Sequence, residues 1–126
     1  MSIDLNHTIV PARDPRTSAK FLADILGLPV DPPLAHFTPV TLTNGVSLDY
    51  DQMNAFESHH YAFMLGNEEF DAAFARIQDD GITYYADPGC TKVGEVYHNA
   101  SGNQGAYFRD PDGHLMEIIT RVGTSE

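Results

Sequence analysis

The feature that most constrains the fold of this chain is an internal duplication. His7 and His60 stand in strand-like segments and differ by 53 positions, and Phe21 and Phe74 stand in the helix-like segments that follow and also differ by 53. A spacing shared by a strand and by the helix after it indicates two copies of one structural unit. At 126 residues the chain is long enough for about one compact domain, so the sequence predicts a single domain built from two similar modules.

The first module, about 1–55, reads as a strand, a helix and two more strands. A β-branched run predicts a strand that is broken by Pro11. Asp14 is a good N-cap, and the apolar residues after it recur at i, i+3 and i+4, which predicts an amphipathic helix. Two short strands follow on either side of the Asn-Gly pair at 44–45, a typical hairpin turn.

The second module, about 56–126, repeats this order. A strand-like run at 60–65 precedes a helix for which Asn67 is the expected cap. The segment 91–103 reads as a polar loop, and the last two strands flank a tight turn at 110–113.

Four side chains that can bind a metal occupy matching positions in the two modules. Side chains of a strand alternate between its two faces, and the apolar neighbours of His60 and Glu117 are expected to face the helices. His60 and Glu117 are therefore expected on the other, concave face of the sheet. The same argument places His7 and Asp49 on the concave face of the first module. For any one of these residues an ordinary structural role is the alternative, but their coincidence in duplicated positions favours a metal site. Two imidazoles and one carboxylate, with Asp49 as an optional fourth ligand, are the donor set of a facial triad that leaves positions open to substrate.

The charge of the chain excludes several classes of partner. Seven Lys and Arg against 18 Asp and Glu give a formal net charge of −11. This sign disfavours nucleic acid and anionic membrane surfaces, and we expect neither as a partner. No apolar run approaches the roughly 18 residues of a membrane span, and the first residues do not resemble a signal peptide, so we expect a cytoplasmic protein. The one cysteine, Cys90, cannot form an internal disulfide.

Three motifs carry a resemblance to a known family: NHTI at 6–9, HYAF at 60–63 and FRDPDGHLMEI at 108–118. Through them the whole chain resembles the vicinal oxygen chelate superfamily, which includes glyoxalases, bleomycin-resistance proteins and extradiol dioxygenases. The resemblance implies an α+β fold in which two βαβββ modules form a curved mixed sheet around one divalent metal ion. The histidines of the first two motifs and the glutamate of the third stand at the family's ligand positions.

Within that superfamily, the segment from Val96 to Glu117 resembles the extradiol dioxygenase signature, although Ala106 replaces a larger aliphatic residue. This resemblance implies that His98 is an acid/base and that Tyr107 is a hydrogen-bonding or proton-accepting partner for a substrate hydroxyl. It favours Fe(II) and cleavage of a small catechol-like ring, with Ni, Zn or Mn as the other candidate metals.

Two further activities remain open. An acid at the position of Asp49 is a glyoxalase feature, which implies a lyase or isomerase acting on a small carbonyl compound with Ni or Zn bound by four protein ligands. The third reading is a drug-binding protein of the bleomycin-resistance type, or an enzyme that adds a thiol to an antibiotic. A pure binding protein does not need His7, His60 and Glu117 together. The resemblance also implies a small-molecule substrate and a homodimer.

Overall fold

The computed structural model describes residues 1–120, so the last residues of the predicted domain, 121–126, lie outside the described part. The chain divides into two compact units, Met1–Glu57 and Ser58–Glu126. Residues 1–120 contain two helices and mixed sheets, which confirms the predicted α+β class. None of the helices within residues 1–120 has the length and apolarity that a membrane crossing requires.

The first unit contains one helix and a three-stranded sheet. Its elements are β1 (His7–Ala12), α1 (Pro15–Leu26), β2 (Thr38–Thr41) and β3 (Ser47–Gln52). The strand order is β1-β3-β2, with β1 parallel and β2 antiparallel to the central β3.

Helix α1 begins at the predicted Asp14 cap, and a glycine ends it. The Asp14 side chain accepts a hydrogen bond from the Thr17 backbone N–H at 3.3 Å, and Pro15 occupies the first turn, where its missing N–H costs no hydrogen bond. Gly27 ends the helix in the left-handed conformation, with φ of 74°. One face of the helix is buried, formed by Ser18, Ala19, Leu22, Ala23 and Ile25.

The described part of the second unit, 58–120, contains one helix and a sheet of five strands. Its elements are β4 (His60–Leu65), α2 (Asn67–Asp79), β5 (Tyr84–Tyr85), β6 (Tyr97–His98), β7 (Gln104–Arg109) and β8 (Leu115–Thr120). Four strands follow the order β4-β8-β7-β5, and the short β6 pairs with β7. The buried apolar side chains include Phe63, Phe70, Ile77, Met116 and Ile118.

The duplication seen in the sequence is also present in the strand register. In the first unit His7 lies opposite Ser47 in the parallel pair of β1 and β3. In the second unit His60 lies opposite Leu115 in the parallel pair of β4 and β8. Adding 53 to the first partner and 68 to the second converts one pair into the other, so the positions of the expected ligands are equivalent in the two units.

Three local predictions are wrong. Strand β1 continues through Pro11 to Ala12. It is an edge strand of its sheet, and the missing N–H of a proline is tolerated in an edge strand. Asn67 is the first helical residue rather than the cap, and Gly66 takes the cap position without a side-chain hydrogen bond. The expected loop 91–103 contains strand β6.

Candidate metal-binding site

His60 and Glu117 lie together on the face of the second sheet that is opposite its apolar core. The neighbours of Glu117 in β8, Met116 and Ile118, are fully buried, which fixes the alternation of side chains in this strand. Glu117 itself is only 8% exposed, whereas His60 is exposed. The parity argument from the sequence therefore describes this strand pair correctly.

The hydrogen bonds of His60 define which of its ring nitrogens carries a proton. Nδ1 lies 3.0 Å from the carbonyl oxygen of Leu115, the residue opposite it in the strand pair. A carbonyl oxygen can only accept a hydrogen bond, so Nδ1 carries the proton and its N–H group is the donor. In the neutral ring Nε2 is then an acceptor with its lone pair available, as in histidines that bind a metal through Nε2.

Nε2 of His60 lies 3.1 Å from Oε1 of Glu117. With a neutral ring and an ionised carboxylate, both atoms are acceptors, and the contact is favourable only if a cation stands between them. That cation is either a second proton on the ring or a metal ion. Two ligands bound at right angles to one ion at about 2.1 Å would stand about 3 Å apart, so the observed pair fits two neighbouring positions of a divalent metal.

Tyr97 is a member of this site that the sequence reasoning missed. Its hydroxyl donates a short hydrogen bond to Oε2, the second oxygen of Glu117. Tyr97 lies opposite Gly105 in the pair of β6 and β7, and a Cβ added at Gly105 would stand 2.6 Å from Cε2 of the Tyr97 ring. The sequence signal that could have indicated this contact is the glycine inside β7, because glycine in a strand often marks the close approach of another group.

Tyr107 is the second phenol beside the Glu117 carboxylate. It lies opposite Glu117 in the pair of β7 and β8, and its ring centroid is 5.5 Å from that of Tyr97 and 6.0 Å from that of His60. Burial, with the charge and hydrogen bonding of Glu117, raises the pKa of Tyr107, and the same causes raise the pKa of Tyr97 more strongly. Both phenols therefore stay protonated near neutral pH and serve as hydrogen-bond donors.

His98 follows Tyr97 in strand β6 and is exposed. Its backbone pairs with Gln104, and among residues 1–120 its ring hydrogen-bonds to neither His60 nor Glu117. The acid/base role expected from the signature stays a prediction.

The tight turn before β8 holds the start of strand β4 in place. The backbone N–H of His59 donates to Nδ1 of the fully buried His114 at 2.9 Å, and the N–H of Leu115 donates to the carbonyl of His59 at 2.9 Å. Within the turn, Oδ1 of Asp110 accepts the His114 N–H at 2.8 Å, and burial raises the pKa of this carboxyl. These contacts fix the backbone on which His60 stands.

The first unit places the other two expected ligands in equivalent positions. Nδ1 of His7 lies 2.7 Å from Oδ1 of Asn6, which can accept a hydrogen bond from the Nδ1–H group and so leave Nε2 of the neutral ring as an acceptor, as in His60. Asp49 is 6% exposed, and its Oδ1 accepts a hydrogen bond from the Ser47 hydroxyl at 2.5 Å.

Over residues 1–120, no group of three or more His, Cys, Asp or Glu side chains is assembled closely enough to hold a metal ion. His7 and Asp49 belong to the first unit, and His60 and Glu117 belong to the second. The observed part of the expected donor set is thus the His60–Glu117 pair, and the full set of ligands stays a prediction.

The fold and the duplicated His and acid positions define the class of the protein. The family model of the Glyoxalase/Bleomycin resistance protein/Dioxygenase superfamily matches residues 4–118, and the chain belongs to this superfamily. This confirms the resemblance and the α+β fold class, and the metal ion that the resemblance implies stays a prediction.

Three relatives are informative. The solved structure of Oxidase ChaP-H2 is 52% identical, covers 100% of both chains and has a TM-score of 0.91. Oxidase ChaP-H1 is 47% identical over 95% of this chain and 97% of its own, also with a TM-score of 0.91. Glutathione transferase FosA of Serratia marcescens is 29% identical over 123 residues, which are 90% of this chain and 78% of that protein.

Proposed function

We propose that this protein is a metal-dependent dioxygenase that opens the ring of a small catechol-like substrate. The observation that carries the proposal is the pair of acceptors His60 Nε2 and Glu117 Oε1, which converge at 3.1 Å beside two phenols. The 52% identity to Oxidase ChaP-H2 favours oxidative chemistry over the other activities of the superfamily.

The proposed ligands are His7, His60 and Glu117. When bound, a divalent ion, with Fe(II) as the first candidate, supplies Lewis-acid activation and exchangeable positions for substrate oxygens. The Leu115 carbonyl orients the His60 ring, and the raised pKa of Tyr107 makes it a hydrogen-bond donor to a substrate oxygen rather than a base. His98 is the proposed acid/base, because an imidazole can exchange protons near neutral pH.

Metal content tests the ligand assignment. We expect about one divalent ion per chain in the purified protein and its loss in His60→Ala. His36→Ala is the matched control, since His36 is an exposed histidine paired with Asp51 in the first unit. Elemental analysis of the three proteins measures the result. Full occupancy in His60→Ala would contradict the assignment.

Turnover tests the reaction. Extradiol cleavage inserts both atoms of O₂ into the substrate, so Fe(II)-loaded protein, air and a catechol are sufficient, and no added reductant is consumed. We expect O₂ uptake and a yellow ring-opened product with some members of a catechol panel. His98→Ala should slow turnover while the iron content stays unchanged. A metal-loaded protein that consumes no O₂ with a broad panel would refute the dioxygenase proposal.

Asp49 favours a second candidate, a lyase or isomerase of the glyoxalase type. This buried acid occupies the register position equivalent to Glu117, as a fourth metal ligand would. The test is turnover of a glutathione hemithioacetal by the Ni(II)-loaded protein. The similarity to Glutathione transferase FosA favours a third candidate, the addition of a thiol to an antibiotic. The test is whether the protein consumes glutathione when members of an antibiotic panel are added.

The proposal includes a homodimer, as expected from the superfamily. Light scattering after size exclusion should give twice the chain mass of 13.9 kDa. The mass of a single chain would contradict this part of the proposal.

A further inference from the structure

The two oxygens of Glu117 have different partners. Oε1 faces Nε2 of His60 at 3.1 Å, and Oε2 accepts the short hydrogen bond from the Tyr97 hydroxyl. We infer that Tyr97, seated over Gly105, restricts Glu117 to binding the metal ion through Oε1 alone. This inference rests on the metal site proposed above, and it assigns positioning roles to Tyr97 and Gly105.

The position of the Tyr97 ring depends on the missing side chain at Gly105. The two residues are opposite each other in the strand pair, and a Cβ at 105 would overlap the Cζ and hydroxyl end of the ring. Contacts this close do not occur in real structures, and the end of the ring that would have to move is the end that donates to Glu117. Any side chain larger than glycine at 105 therefore displaces the hydroxyl from Oε2.

The consequence concerns the number of positions left for the substrate. A carboxylate that binds through both oxygens takes two positions of the ion, whereas one whose second oxygen accepts a hydrogen bond takes one. Beside the two proposed imidazole ligands, a Glu117 bound through one oxygen would leave one more position for the substrate than a Glu117 bound through both oxygens. That additional position would allow a substrate to bind through two neighbouring oxygens. Tyr97 thereby preserves the space that a two-oxygen substrate needs.

The first test uses Tyr97→Phe, which keeps the ring over Gly105 and removes only the hydroxyl. We expect the variant to retain about one ion per chain, with a metal affinity that is about 10–100-fold weaker, as is typical when a group that supports a ligand is removed. Titration against a chromophoric chelator measures the affinity. The visible absorption of the Co(II)-loaded protein should also change, because it depends on the number and geometry of the bound atoms. The matched control is Tyr84→Phe, whose hydroxyl accepts from Gln78 at 3.4 Å instead of contacting Glu117.

The second test uses Gly105→Ala, which keeps the hydroxyl and moves it. We expect the same Co(II) spectrum and the same loss of affinity as in Tyr97→Phe. In the double variant the alanine should cause no further loss of affinity, because the hydrogen bond is already absent. If Gly105→Ala does not fold, Tyr97→Phe alone decides the question.

The outcomes separate this inference from the proposed function. A Tyr97→Phe protein with the wild-type affinity and Co(II) spectrum would overturn the inference while leaving the metal site intact. A wild-type protein that binds no divalent ion would overturn both. A protein that shows the expected Tyr97 effects but turns over no catechol would refute only the dioxygenase activity.

Discussion

Replacing Glu117 with glutamine should stabilise the metal-free protein and abolish its stabilisation by metal. In the metal-free wild type with a neutral His60 ring, for which we choose pH 8.5, Nε2 of His60 and Oε1 of Glu117 face each other as two acceptors at 3.1 Å. A glutamine amide corrects this mismatch, because its oxygen accepts from Tyr97 and its NH₂ group donates to Nε2 of His60.

The expected gain follows from this count of hydrogen bonds. The variant forms one hydrogen bond that the metal-free wild type lacks, which contributes about 0.5–1.5 kcal/mol. It also removes a charge from a position that is only 8% exposed, which acts in the same direction. We expect the metal-free variant to be about 1 kcal/mol more stable, which raises the melting temperature by about 3–6 °C for a chain of this length.

Metal should make the wild type more stable than the Glu117→Gln variant. An ion present at 100 times its dissociation constant stabilises the wild type by about 2.7 kcal/mol, whereas the variant has lost its anionic ligand and gains little. Urea and thermal denaturation followed by circular dichroism, once with a chelator and once with Mn(II), measure both effects. Glu95→Gln is the control, since Glu95 is exposed on the loop before β6.

Two results would refute this reasoning. One is a metal-free Glu117→Gln protein that is less stable than the wild type at pH 8.5. The other is equal stabilisation of the wild type and the variant by metal, which would mean that Glu117 is not a ligand.

Two further predictions concern an alkaline transition and the number of ligands. Burial and the charge of Asp110 raise the pKa of Tyr61 to about 12, so its contribution to stability is present below pH 10 and is lost as the pH rises through the folded value. Tyr61→Phe should therefore lose less stability than the wild type between pH 10 and pH 12 in denaturant titrations at each pH; an equal loss would contradict this. Asp49→Asn should keep about one ion per chain by elemental analysis if three ligands suffice. Loss of the ion would favour the four-ligand lyase.

Local sequence patterns determined most of the fold. Helix α1 follows from the Asp14 cap and an apolar periodicity that lies within 12 residues. The strands around the site follow from alternation, which operates between neighbouring residues and needs no information from elsewhere in the chain. The continuation of β1 through Pro11 was not predictable in this way, because it depends on the position of the strand at the end of its sheet.

The sequence by itself determined that His60 and Glu117 share one face of a sheet, because alternation fixes the face of a strand residue and the duplication fixes which residues correspond. Only the tertiary structure decided how the two side chains are held. The carbonyl of Leu115, 55 residues away in the chain, orients the His60 ring. The hydroxyl of Tyr97, 20 residues away from Glu117, donates a hydrogen bond to one of the carboxylate oxygens. Such contacts depend on the register between strands and on the open space above Gly105, and neither is expressed in the pattern of neighbouring residues.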